Sequence, residues 1–233
     1  MYRGSRTAVT ALLAGAVACI GSYGILRFGV QVLHAQLALG RPVLLVLGGA
    51  SALYGGIAAI SQRTTSGVLA YSSVAQAGFI WLAVGIGGVA GYTAAIVYAL
   101  TNALNKGLGF LAAPNDKRMV KVSFAIAAFS ITGLPPTLGF WAKFSLFESG
   151  WLAGALVTSV VLMAASALSF LYVYPAYQRG AWRDSPVAPA LPLAQRAVTW
   201  GLVALVLGLG LWPAPLYAFA ARGARELMEG RGP

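Results

Sequence analysis

Apolar residues follow one another in windows of about twenty along almost the whole chain, interrupted by short clusters rich in Arg, Lys, Gly and Pro. A hydrocarbon core of ~30 Å is crossed by roughly 20 helical residues, so each window is long enough to span a bilayer. The pattern predicts seven helices, at residues 8–26, 43–61, 68–89, 91–113, 121–147, 151–176 and 197–220. Polar connections are expected from Arg27 to Pro42, Pro114 to Lys121 and Gln178 to Arg196, and Gly87-Gly88 divides the third window from the fourth. The expected fold class is all-α: a polytopic membrane helix bundle of about seven transmembrane helices, forming a single transmembrane domain over residues 1–233.

One window is broken. Residues 133–147 read Gly-Leu-Pro-Pro-Thr-Leu-Gly-Phe-Trp-Ala-Lys-Phe-Ser-Leu-Phe, so the apolar run meets Pro135 and Pro136 and resumes with Lys143 on its far side. Two consecutive prolines remove two backbone donors and clash with the preceding turn, which predicts a discontinuous helix. In lipid the freed carbonyls need partners, so such a break belongs inside protein or beside a wet cavity. Two placements of Lys143 are open. On a straight helix from Lys121 the lysine lies beyond ~30 Å and snorkels to the far interface. The window of 27 residues is longer than a span requires, and an unwound stretch would hold Lys143 deeper, where intramembrane charge marks an ion path.

Two further windows carry polar stripes. Tyr98, Asn102 and Lys106 recur every four residues, with Thr101 and Asn105 one position earlier, so one face of the fourth helix is polar and must meet protein or water. Ser72 and Gln76 share a face of the third helix, with Ser73 beside them. Such groups serve either as packing hydrogen bonds of about 0.6 kcal/mol or as ligands for water along a path. Trp151, Trp182, Trp200 and Trp212 fall near helix ends, as an aromatic belt requires.

Composition narrows the function. With 59% apolar residues, 9% charged residues and a mean hydropathy of +0.78, the chain lacks the polar surface of a soluble domain. Its net charge of +11 is scattered singly between apolar runs, which favours anionic lipid head groups over nucleic acid as the counter-charge. Arg3 and Arg6 precede an apolar run too long for a signal peptide, so that run is expected to be a span. A single cysteine, Cys19, and a single histidine, His34, assemble neither a disulfide nor a zinc ligand set. No glycine-rich nucleotide loop or cluster-binding cysteine motif is present, so no cofactor and no metal is expected, and redox or hydrolytic chemistry would reside in other chains.

Four stretches, in order and spacing, resemble the antiporter-like family that includes the N, M and L type membrane subunits of respiratory complex I and the large D/A type subunits of multisubunit sodium/proton antiporters. They are Gly21-Ser-Tyr-Gly-Ile-Leu-Arg-Phe28, Gly67-Val-Leu-Ala-Tyr-Ser-Ser-Val-Ala-Gln-Ala-Gly-Phe79, Asn102-Ala-Leu-Asn-Lys-Gly-Leu-Gly-Phe-Leu111 and Phe129-Ser-Ile-Thr-Gly-Leu-Pro-Pro-Thr-Leu-Gly-Phe-Trp-Ala-Lys-Phe144. The resemblance covers roughly residues 10–180 and only the second of the family's two inverted repeats. It implies a proton path in which Lys143 and Lys106 titrate, Tyr98, Asn102, Ser72, Ser73 and Gln76 hold water, and Pro135 and Pro136 make the break. Protons, with sodium as the alternative or exchanged ion, would be carried within a multi-subunit complex of a bacterial cytoplasmic membrane. The departures are Cys19 where the family has a central lysine, Ser66-Gly67 where it has Lys-Arg, and Asn102 where it has histidine. They raise the alternative of a non-conducting structural or truncated subunit.

Overall fold

In a computed structural model the described residues are 7–112, 118–182 and 192–230. Every regular element among them is helical. The first span is one continuous helical run over residues 7–32, built from α1 (Thr7–Leu12), a π segment (Leu13–Val17), α2 (Ala18–Gly24) and a second π segment (Ile25–Val32). There follow α3 (His34–Ile60), α4 (Thr65–Ile86), α5 (Gly88–Ala112), α6 (Arg118–Thr132), α7 (Leu138–Leu152), α8 (Leu156–Trp182), α9 (Leu193–Leu211) and α10 (Ala214–Glu229). Of the seven expected spans, five are recovered as single helical runs, one as the discontinuous pair α6–α7 and one as the two helices α9 and α10.

Among the described residues, five helices are long and apolar enough, by length and composition, to cross a membrane. The 25-residue α5 equals them in length but carries the polar stripe. It tolerates that stripe because it sits at the centre of the bundle, packed against α1, α4, α6, α7, α9 and α10. Around it, α3 and α8 turn Leu39, Val43, Val46, Val157, Val160 and Met163 outward as a lipid-facing surface. The molecule is an integral membrane protein.

Small residues set the closest helix pair. On α3, Gly48, Ala52 and Gly55 are buried against Ala75 and Gly78 of α4. A Cβ on Gly55 would stand 2.4 Å from the Ala75 backbone nitrogen, and one on Gly78 would stand 2.5 Å from that of Ala52. Without a hydrophobic drive between helices in lipid, such backbone approach is what holds them together. The α4–α5 connection turns on Gly87 and Gly88, at φ 72° and 68°, which side chains with a Cβ rarely adopt.

Three boundaries differ from expectation. The stretch from Arg27 to Pro42 is helical almost throughout rather than a connection, and α3 continues through Pro42. Proline keeps a helical φ and deletes one donor, so it weakens a helix without ending it when packing holds both sides. The expected helix 197–220 is instead two helices, divided at Trp212-Pro213. α10 then buries Leu216, Ala220, Ala224 and Leu227 and exposes Phe219, Arg222, Arg225, Glu226 and Glu229. Finally, α7 runs on to Leu152, and α8 starts at Leu156 after a turn at Gly154 with φ 61°. The other two expected connections, Arg3, Arg6 and the side chain of Trp182 lie wholly or partly outside the described residues.

Candidate functional site

The discontinuous helix is closed at both ends. At the end of α6, Gly133 adopts φ 86°, its N–H donates to the carbonyls of Phe129 and Ser130, and the Leu134 N–H donates to that of Phe129. This is a glycine-terminated helix end that satisfies the last carbonyls. Pro135 and Pro136 follow as exposed residues, and the Thr137 hydroxyl donates to the Leu134 carbonyl at 2.6 Å before α7 begins. α7 lies hard against the end of α6. The Gly139 N–H donates to Ser130 Oγ at 3.1 Å, and a Cβ on Gly139 would fall 1.6 Å from the Ser130 carbonyl oxygen.

That contact aims Lys143. Its amine turns back toward the break and donates to the Thr132 carbonyl at 2.8 Å and to Ser169 Oγ of α8 at 2.6 Å. Thr132 is the last residue of α6, so the ammonium sits where the helix dipole is negative. The stem passes under Gly133, whose added Cβ would stand 2.7 Å from Lys143 Cδ, and the amine lies 5.9 Å from the centre of the Phe79 ring. Lys143 is 6% exposed, so its side chain ends inside the helix bundle rather than on its outer surface.

Lys106 is fully buried and donates to the Leu69 carbonyl at 2.7 Å and to Ser72 Oγ. Ser72 and Ser73 both donate to the same Leu69 carbonyl, at 2.9 and 3.0 Å. The two serines and Lys106 therefore form one cluster between α4 and α5. Gln76, Tyr98 and Asn102 belong to another, lining a polar pocket with Thr101, Asn105, Ser130 and Lys143. The pocket has room for about one water molecule. The side-chain oxygens of Gln76, Asn102 and Asn105 are buried there without a hydrogen-bond partner. They call for an occupant that donates. Tyr98 packs its ring on Phe79 at 5.3 Å, which fixes it beside the pocket.

All of the site residues read from the sequence are thus brought into two adjacent clusters, one per lysine, and the two prolines stand at the break on the surface. Ser169 is an acceptor that spacing along the sequence does not reveal. It sits on another helix, 26 positions from Lys143, so no i, i+4 spacing relates the two. Ser130 and the Thr132 carbonyl were missed for the same reason. Cys19 donates weakly to the carbonyls of Gly15 and Ala99, at 3.3 and 3.5 Å, and acts as a small packing residue.

The chain matches the family model described as NADH:quinone oxidoreductase/Mrp antiporter, TM, over residues 1–120 and 114–169. It is 35% identical over 205 residues to an NADH-quinone oxidoreductase subunit N 2 of Solidesulfovibrio magneticus, covering 79% of this chain and 44% of the relative. Among solved structures, a chain of the Mrp complex from a Dietzia species matches with a TM-score of 0.87 at 24% identity, covering 98% of this chain and 55% of that one. A chain of respiratory complex I from Thermus thermophilus matches with a TM-score of 0.74 at 29% identity, covering 93% and 52%. The chain spans about half the length of the relatives it matches.

Proposed function

The chain belongs to the NADH:quinone oxidoreductase/Mrp antiporter membrane family, and from that membership we propose that it is an ion-translocating membrane subunit that moves protons through a mid-membrane lysine relay. Lys143 and Lys106 are the titrating groups of this proposal, Tyr98, Asn102, Ser72, Ser73 and Gln76 hold water, and Pro135 and Pro136 produce the break. Other membrane subunits of a multi-subunit complex in a bacterial cytoplasmic membrane supply the coupling and the redox chemistry or counter-ion, sodium being the candidate for exchange. The chain acts as a single transmembrane domain corresponding to the second repeat.

The observation that carries this reading is the bonding of the two amines. Each is buried, and each donates to a carbonyl and a serine hydroxyl. An amine held by neutral oxygens is not locked in an ion pair, so it can exchange a proton without breaking a buried salt bridge, whose disruption costs about 3–5 kcal/mol. The pocket beside Lys143 offers the next acceptors, the unpartnered oxygens of Gln76, Asn102 and Asn105.

The test is proton translocation by the complex containing this chain, reconstituted in proteoliposomes. Lys106→Ala is expected to slow it by roughly tenfold, whereas Arg222→Ala on the exposed face of α10 leaves it unchanged. Equal rates would sink the relay. Ser169→Ala is expected to slow translocation about fivefold, because one of the two acceptors of Lys143 is lost at ~1 kcal/mol. Ser169→Thr, which keeps the hydroxyl, is expected to retain most of the rate.

A second reading, a non-conducting structural subunit, is favoured by one feature, the self-contained hydrogen bonding of Cys19 at a level where the first helix presents no cation. Normal ion flux in a stable complex after both lysine substitutions would establish it.

A further inference from the structure

Away from both lysines, the outer face of α7 forms a recess of about 480 Å³ with the α9–α10 corner. Trp141, Phe144 and Glu148 stand three and four residues apart and so share one face of α7. Leu211, Trp212, Pro213 and Tyr217 close the other side. The walls are preset. Trp141 Nε1 donates to the Gly210 carbonyl at 2.7 Å, and the Tyr217 hydroxyl donates to the Trp141 carbonyl at 2.8 Å. The Trp141 ring stands at 78° to Phe144 and at 86° to Tyr217, with centroids 6.0 and 6.5 Å away. These rings pack edge to face on one another as one side of the recess, and Glu148 adds a single carboxylate to an otherwise apolar lining, which suits a group that joins an ammonium to an apolar chain. Among the described residues no basic side chain lines the recess beside Glu148.

Depth selects the source of the ammonium. Glu148 lies four residues before the end of α7, about 6 Å by helical rise. The last turn there carries Trp151, 80% exposed, in the place of an interfacial belt residue. Gly210, the residue before the recess-lining Leu211, packs its backbone on Pro136 and Thr137 at the helix break. The recess therefore extends along α7 from Glu148, near the helix end that carries Trp151, toward the break, with Trp212 and Leu211 exposed along it. We infer that it binds a phospholipid with an ammonium head group, the ammonium at Glu148 and an acyl chain along Phe144, Leu211 and Trp212. A free organic cation would leave the apolar length unused, and an anionic lipid would meet Glu148 with like charge.

The test uses the native complex in nanodiscs of equal parts phosphatidylethanolamine and phosphatidylglycerol, with retained lipid counted by native mass spectrometry. Phosphatidylethanolamine is expected to be enriched on the wild-type complex. Glu148→Gln and Trp212→Leu, both at exposed positions, are each expected to lower its retention about fivefold. Glu226→Gln on α10, outside the recess, is expected to leave it unchanged. Equal retention in all four proteins, or preference for phosphatidylglycerol, overturns the inference. A carbodiimide cross-link from Glu148 to a lysine of a neighbouring subunit also overturns it, by placing a protein side chain in the recess.

Discussion

Lys143→Ala is expected to reduce proton translocation by the reconstituted complex more than any other single substitution, by at least about tenfold. Among the described residues the Lys143 amine is the ionisable group held at the break. It bridges the end of α6 to α8 through Thr132 and Ser169, and it borders the polar pocket. Alanine removes the proposed titrating group and also leaves Ser169 Oγ and the Thr132 carbonyl without that donor, which costs about 1–3 kcal/mol where the acceptors are buried. Lys143→Met leaves the same two acceptors without their donor but keeps most of the stem beneath Gly133, so it separates loss of the amine from loss of the stem's packing. Translocation is expected to fall equally in both variants, while the complex extracted from membranes stays closer to wild-type abundance in the methionine variant. Lys143→Arg is expected to fail as well, because a planar guanidinium does not fit the space that Gly133 leaves for a narrow stem. A methionine variant with wild-type flux would remove Lys143 from the relay.

Gly139→Ala is expected to have the largest effect on folding and assembly. Its Cβ would fall 1.6 Å from the Ser130 carbonyl oxygen, and the obstacle is backbone that cannot rotate away. α7 must then move off α6, breaking the Gly139 to Ser130 hydrogen bond and carrying Lys143 away from Thr132 and Ser169. Overpacking ordinarily costs about 1–3 kcal/mol, and a backbone obstacle places this case at or above the upper end. Gly201→Ala is the control. Nothing lies within 4 Å of its added Cβ on α9, and helix propensity predicts no loss or a gain of up to about 1 kcal/mol. Thermal unfolding and steady-state membrane abundance check both variants. Similar behaviour of the two glycines would show that α6 and α7 are not held at this distance.

Both predictions draw on contacts of different legibility. That residues 133–147 contain a break with a lysine beyond it is visible in the chain, because Pro-Pro in an apolar window has few conformations open to it. That the lysine turns back rather than outward is not visible. On a continuous helix Lys143 would have reached the far interface, and only the five-residue break, with Gly133 at positive φ and Gly139 against Ser130, reverses its aim. The Tyr98, Asn102 and Lys106 stripe was legible for the opposite reason, since neighbours four apart share a helix face whatever the rest of the fold does. Its division between two clusters followed from α4, where Ser72 faces Lys106 and Gln76 faces Asn102 and Asn105.

Length, apolar periodicity and proline placement alone determined a membrane bundle, its approximate spans, its one central break and the two lysines, because the bilayer imposes its thickness on every span. Tertiary packing decided what each lysine touches, the positioning role of Ser169, the passage of α3 through Pro42 and the separation of α9 from α10 at Pro213. Spacing along a chain reports neighbours on one helix, whereas a contact between helices depends on rotation and depth, which small residues such as Gly55, Gly78 and Gly139 set only once the helices have met.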